Sequence, residues 1–308
     1  MRTKASTYRS DVMDDIVKQI LISRPGLVLP ARVQRYLSRR IREGRGQGIG
    51  PGYRPWLTVR DVPSRGYSTR VKGWKTQRVH HLLSRLERAT YASLEWSSNV
   101  VDIREQYPLL PLELTLALAA SCGIKHPTHP RTGDPVVMTT DFLATVWDGS
   151  RFREEAHAVK YAEDLKSRRT LQKLEIERRY WEWRNTDWGL ITDAEISMTL
   201  ADNVLFVHSF RDLRDRPGLS PEIVRRVKTT LTVGVLRGVG SLSNMALDCD
   251  ARFSLEPGSS LSIAYHLIAN RIWHIDMYQP IEAGKVLLLL NATNLKQQLQ
   301  SGDERNIA

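Results

Sequence analysis

The chain has 308 residues, of which 41% are hydrophobic and 26% charged, which is typical of a two-domain globular protein and excludes a wholly disordered or collagen-like chain. No apolar run approaches the ~20 residues of a membrane span, and two cysteines, Cys122 and Cys249, cannot build a disulfide framework. We therefore expect a reduced, cytoplasmic protein without membrane contact. The formal net charge is +11, and residues 32–90 hold 15 Lys and Arg against 3 Asp and Glu. This cluster predicts a polyanionic partner, most often nucleic acid; neutralisation by acidic side chains of the same subunit is the alternative.

The first 60 residues contain two predicted helices and a glycine-rich loop. Apolar residues at helical spacing predict a helix over 9–23, and a basic helix follows over 31–43. Residues 44–52 read GRGQGIGPG, but neither a Gly-Lys-Ser/Thr nor a preceding strand completes a phosphate-binding motif, so we expect a mobile loop carrying Arg45. Residues 1–30 form an N-terminal extension, for which a partner-docking helix and an inert cap are both open.

An α/β domain is predicted over residues 31–194. The hydrophobic patterns predict the following elements in chain order: helix 76–94, strand 100–107, strands 136–147 and 152–161 around Asp148-Gly149, helix 167–184 and strand 188–192.

The predicted hairpin places an aspartate and a lysine on one face of the sheet. If Trp147 pairs with Phe152, Asp141 lies opposite Ala158, and Lys160 is its diagonal neighbour, ~7–8 Å away. A shift of the register by one residue would separate the two side chains.

Asp141, Lys160 and a helical carboxylate are the residue types that metal-assisted phosphodiester hydrolysis requires. Carboxylate oxygens bind Mg²⁺, which activates water and stabilises the leaving oxygen. A lysine orients the water or neutralises charge in the transition state. Glu87, at the edge of the apolar stripe of helix 76–94, is the candidate third member. Taken singly, each of these residues is more often solvated or ion-paired.

A smaller domain is predicted over residues 195–290, followed by a polar tail at 291–308. Its pattern predicts three helices and then two strands: 220–237, 243–253, 259–270, 272–278 and 286–290. Three helices and a hairpin are the order of a winged helix. The third helix offers few cations, which favours docking on a protein over reading DNA; a small α+β domain without a nucleic-acid role is the alternative.

Long ordered runs of this sequence resemble the TnsA family, the endonuclease subunits of heteromeric TnsABC-type bacterial transposons. The resemblance is dense over residues 39–195 and lies in these runs: RRIREGRGQG (39–48), PWLTVRDVPS (55–64), RVHHLLSRLE (78–87), SLEWSSNVVDIREQYPLLP (93–111), GIKHP (123–127), TDFL (140–143), VK (159–160) and TLQKLEIERRYW (170–181).

The resemblance implies a restriction-endonuclease-like catalytic domain and a C-terminal winged-helix-like domain. It implies that the protein cuts the 5′ ends of the transposon with the help of two Mg²⁺ ions, which Mn²⁺ can replace. It also implies a location on DNA in the bacterial nucleoid. The family's catalytic residues fall on Glu87, Asp141 and Lys160, and the carbonyl of Val159 is an expected metal ligand. The implied partners are transposon-end DNA, a TnsB-like recombinase and a TnsC-like ATPase regulator.

One departure from the family pattern concerns the metal site. A carboxylate or glutamine usually stands two residues before the lysine, where this chain has Ala158. A catalytically weakened DNA-binding adaptor is therefore one alternative, and a free-standing restriction-type nuclease is another.

Several further polar residues have a structural and a functional interpretation. Glu177 follows Lys173 by four residues, so a helix ion pair is favoured over support of the active site. Arg104 and Glu105 are expected to form a pair on a strand surface, with a contact to DNA as the alternative. His80 and His81 are interpreted as a phosphate contact or as structural histidines. Cys122, His126 and His129 lack a fourth ligand at convincing spacing for a zinc site, and Lys125 and His126 are better interpreted as DNA-backbone contacts.

Overall fold

The computed structural model describes residues 28–62, 67–214 and 216–301. The helix predicted over 9–23 lies outside the described residues. The chain divides into two compact units, Met1–Ile196 and Ser197–Ala308, so the division falls two residues after the predicted boundary. Among the described helices, none is long and apolar enough to cross a membrane.

The first unit is built on a four-stranded mixed sheet. Its strands are β3 (Val100–Pro108), β4 (Thr139–Trp147), β5 (Phe152–Val159) and β6 (Asp187–Ile191), after a separate antiparallel ribbon of β1 (Thr69–Lys72) and β2 (Val79–Leu82). The sheet order is β3-β4-β5-β6, in which only β5 and β6 run parallel. Trp147 pairs with Phe152 and Phe142 with His157, which confirms the predicted hairpin register.

Helices cover both faces of this sheet because apolar residues alternate along β4 and β5. One face buries Phe142 and Val159 in a cluster with Leu86 of α2 (Arg85–Trp96). The other buries Leu143 and Ala156 against α3 (Leu112–Ser121) and α4 (Arg168–Trp183). The polar residues at one end of β4 and β5 thus lie between two packed layers.

The predicted helix over 76–94 is wrong in its first half. Residues 79–82 form β2, and the helix begins only at Arg85. Ser84 has an extended backbone and its hydroxyl accepts a hydrogen bond from the Glu87 amide, so it is the N-cap that starts the helix. Leu82 and Leu86, which suggested one continuous stripe, both reach the core from different elements.

The glycine-rich loop after α1 (Ala31–Arg42) is packed against β3, contrary to the prediction of a mobile loop. Gly46 has a φ of +71°, and a Cβ there would lie 2.3 Å from the Pro108 side chain. Arg45, the residue expected on a mobile loop, donates to Asp61 at 2.9 Å. Only glycine combines this close approach with a left-handed backbone.

The second unit consists of helices joined by loops, without a strand among its described residues. It contains α5 (Met198–His208), α6 (Pro221–Arg237), α7 (Leu242–Phe253), α8 (Ser259–Ala269) and α9 (Ala292–Ser301). The three predicted helices are confirmed within one residue at each end, while α5 was not predicted.

The predicted strands of the winged helix are absent from the described residues 197–214 and 216–301. The backbone of the 272–290 segment is used elsewhere: the carbonyls of Met277 and Gln279 accept from the Asn203 side chain, and those of Ala283 and Lys285 accept amides at the start of α7. One backbone hydrogen bond, from the Leu290 amide to the His274 carbonyl at 2.7 Å, joins the two predicted strand segments, but no ladder forms. The prediction of two strands after the third helix is therefore wrong. The polar tail also begins as a helix, α9, whose Leu295 is buried.

Candidate active site

The β4–β5 register brings Asp141 and Lys160 into direct contact. Lys160 Nζ donates to Asp141 Oδ2 at 2.7 Å and to the Val159 carbonyl at 2.8 Å. The Val159 amide donates to the same Asp141 oxygen at 2.7 Å. Two of the predicted catalytic residues and the predicted carbonyl ligand therefore meet at the end of β5.

The electrostatics of this contact keep the lysine charged. Burial, the largest single effect, would lower the pKa of Lys160, but the Asp141 carboxylate together with the charges of Glu177 and Glu87 raises this pKa above its usual value. The ammonium is thus a fixed positive charge, held by the two oxygens expected to bind a metal ion.

Glu87 reaches the same site from the first turn of α2. Its carboxylate is nearly buried and accepts a hydrogen bond from the Leu83 amide at 2.9 Å. Burial and the negative charge of Asp141 raise the pKa of Glu87 to about 7. All three predicted catalytic residues therefore act on one another electrostatically, as a shared site requires.

Glu177, on α4, is a fourth member of the site. The carboxylate is fully buried and accepts hydrogen bonds from Thr140 Oγ1 at 2.7 Å and Trp188 Nε1 at 3.2 Å. Burial, followed by the charge of Asp141, raises the pKa of Glu177 to about 7. The favoured ion pair with Lys173 is therefore wrong, because the side chain turns inward to the sheet.

Gln106 links Glu87 to β4 and was not predicted. Its side-chain Nε2 donates to Glu87 Oε2 at 3.4 Å, while its side-chain Oε1 accepts from Thr139 Oγ1 at 3.0 Å. The residue is buried and has a φ of +48°, an uncommon conformation for a side chain of this size. No pattern of residue types identifies such a bridge, because it depends on a local backbone irregularity in β3.

Behind the site, Glu105 anchors β2 to β3. It is completely buried and accepts from Arg78 Nη1, at 2.8 Å, and is paired with His80 Nδ1 at 2.8 Å. Burial opposes ionisation, but the hydrogen bonds from Arg78 and His80 lower the pKa of Glu105 to about 2. The predicted surface pair of Arg104 and Glu105 is wrong, and His80 is a structural residue of this network.

The donors at Asp141 fit a hard divalent cation with partial hydration. Within residues 28–62, 67–214 and 216–301, no three His, Cys, Asp or Glu side chains converge closely enough to hold a metal ion by themselves. A cation at Asp141 would therefore also need main-chain oxygen and water, ligands that Mg²⁺ accepts and Zn²⁺ does not favour. His126, part of the rejected zinc set, is bonded instead to Thr115 and to the Pro127 carbonyl.

Comparison with known proteins identifies the family of the chain. Residues 97–193 match the TnsA-like endonuclease N-terminal family, and residues 195–277 match the TnsA endonuclease C-terminal family. The chain is similar to the Transposon Tn7 transposition protein TnsA of Escherichia coli, with 42% identity over 249 residues, covering 81% of this chain and 88% of that protein. Asp141, Lys160 and Glu177 lie within the first matched region, and Glu87 lies before it. The chain belongs to the TnsA endonuclease family.

Proposed function

We propose that the chain is the Mg²⁺-dependent endonuclease of a cut-and-paste transposase and cuts the 5′ ends of the transposon. The observation that carries the proposal is the meeting of Glu87, Asp141 and Lys160 at one end of the mixed sheet. A mixed sheet covered by helices on both faces, with Asp141, Glu87 and Lys160 at one end, supports a restriction-endonuclease-like fold for the first unit. The similarity to a protein named for Tn7 transposition supports the biological process.

Asp141, Glu87 and the Val159 carbonyl would hold the metal. Mg²⁺, or Mn²⁺ in its place, would supply Lewis-acid activation of water and of the scissile phosphate when bound there. Lys160 is held at the Asp141 oxygen and keeps its charge, so it is placed to offset negative charge that develops on the phosphate.

Glu177 compensates for the alanine at position 158. Ala158 is fully buried and pairs with Leu190 of β6, two residues after Ala156, so it points to the face that α4 covers. Glu177 of α4 acts electrostatically on Lys160 and Asp141 from that side. A carboxylate on the helix thus replaces the usual polar side chain on the strand, which argues against a weakened adaptor.

The proposed partners are transposon-end DNA, a TnsB-like recombinase that processes the 3′ ends, and a TnsC-like ATPase regulator. The test is a strand-specific cleavage assay on a transposon-end duplex with Mg²⁺, run with and without these partners. We expect 5′-strand cutting only in the complete mixture. Cutting by the isolated chain would favour a free-standing nuclease, and no 5′ cutting in any mixture would favour the adaptor.

A further inference from the structure

The segment before the catalytic sheet carries far more positive than negative charge. Its described residues, 28–62 and 67–82, contain 10 Arg and 2 Lys against only Glu43 and Asp61. Some of these cations are needed for folding, whereas others are available to a ligand. The structure separates the two groups.

The two acidic residues are occupied by arginines that fix the fold. Asp61 accepts from Arg40 and Arg45, each at 2.9 Å, and Arg40 is buried. Glu43 accepts from Arg45 at 3.0 Å. These contacts attach α1 to the segment that follows it, so Arg40 and Arg45 are structural.

Three other arginines form an exposed stripe along α1, which we name the arginine stripe: Arg35, Arg39 and Arg42. They follow one another at spacings of four and three residues, so they lie on one helix face over about 10 Å. Arg39 has a distant pairing with Glu43 at 3.8 Å and lies over the Tyr36 ring, 5.8 Å from its centre, and its side chain is 65% exposed. In the described part of the chain, Arg35 and Arg42 have no ion-pair partner.

A chain of hydrogen bonds links the helix that bears this stripe to the catalytic site. Arg40 donates to the Trp56 carbonyl at 3.4 Å, and the Trp56 amide donates to the Gln106 carbonyl at 3.2 Å. Gln106 in turn contacts Glu87. A ligand bound at α1 would therefore be positioned, through these contacts, relative to the catalytic carboxylates.

We propose that the arginine stripe binds the phosphate backbone of duplex DNA beside the cleavage point and thereby positions the scissile phosphate. The inference rests on the proposed function and assigns to the arginine stripe a role in binding DNA but none in catalysis. Guanidinium groups bind phosphate oxygens in pairs of hydrogen bonds, and a stripe of this length spans about three base-pair steps of ~3.4 Å. Backbone contacts of this kind carry no sequence information, which suits a subunit that leaves end recognition to a partner.

The test compares the Arg35→Ala/Arg42→Ala double variant with Arg178→Ala/Arg179→Ala of α4, which removes the same charge from arginines paired with Glu175. Binding of the full chain to a labelled duplex is measured by fluorescence anisotropy without divalent metal, between 50 and 200 mM salt. Two lost phosphate contacts reduce the slope of log K against log salt by about 1.8. The wild-type advantage over the stripe variant should then shrink about 12-fold across this range.

The metal-free readout keeps this inference separate from the nuclease proposal, because DNA binding is measured even if no strand is cut. A reduced slope in the stripe variant alone supports the inference. An unchanged slope in that variant, or an equal loss in the α4 control, overturns it and would assign the stripe to another partner such as an acidic protein surface. Circular dichroism melting checks that both variants fold, since exposed arginines contribute little to stability.

Discussion

Replacing Glu177 with glutamine should stabilise the metal-free protein while impairing cleavage. The side chain is fully buried, and the pKa of Glu177 is raised from 4.5 to about 7 by burial and by Asp141. Glutamine retains an oxygen that can accept from Thr140 and Trp188, so the change mainly removes the charge.

The expected gain in the free energy of unfolding follows from proton linkage. A carboxyl group with a raised pKa binds more protons in the folded than in the unfolded state, so its ionisation destabilises the fold as pH rises from about 4.5 to about 7. Below that window both states are protonated; above it the cost is constant. At 1.36 kcal/mol per pKa unit, the full cost at pH 8 is about 3 kcal/mol, and at pH 5 it is below about 1 kcal/mol.

The assay is urea unfolding of wild type and Glu177→Gln in EDTA at pH 5 and pH 8. We expect the free energy of unfolding of the variant to rise by about 3 kcal/mol at pH 8, and most of that gain to disappear at pH 5. Glu182→Gln, on the exposed side of the same helix, is the control and should change little. A gain of equal size at both pH values, or no gain at pH 8, would refute the link between burial, ionisation and stability at this site.

Three further changes test the surrounding structure. Asp141→Asn should abolish Mn²⁺ binding measured by electron paramagnetic resonance, since Asp141 is at the centre of the oxygen donors; binding with wild-type affinity would remove it from the ligand set. Ala158→Gln should partly restore 5′ cutting to Glu177→Ala and lower the Mg²⁺ needed for half-maximal cutting, because the new amide points to the vacated side; a folded Glu177→Ala/Ala158→Gln double variant that still does not cut would show that the side chains at positions 158 and 177 do not share one site. Arg78→Met should cost about 3–5 kcal/mol in chemical unfolding by leaving the buried Glu105 carboxylate short of a partner, and a loss under about 1 kcal/mol would contradict that role.

The parts of the molecule that sequence predicts well are those with strong local signals. The Asp148-Gly149 turn sets the hairpin length, and the register then follows from alternation along β4 and β5. The pairing of Asp141 with Lys160 is therefore predictable from residue order alone. Glu87 was placed on the correct helix, although that helix was predicted to start at residue 76 and begins only at Arg85.

The parts that were missed depend on contacts between distant elements. Glu177 carries an ordinary surface pattern, four residues after Lys173, and only the packing of α4 on the sheet shows that it is buried. Gln106 acts through a left-handed backbone that its residue type does not signal. The predicted hairpin after α8 had suitable apolar runs, but Asn203 of α5 competes for the same backbone carbonyls.

The central claim is that Asp141, Lys160 and the two buried glutamates form the centre that cuts the 5′ strand. The most direct measurement is a strand-resolved product analysis of the complete transposition mixture in Mg²⁺, with wild type replaced by Lys160→Ala. The account predicts that 5′ cutting stops while 3′ cutting and joining by the recombinase continue, so that simple insertions give way to cointegrates. Normal simple insertions from the folded Lys160→Ala protein would contradict it.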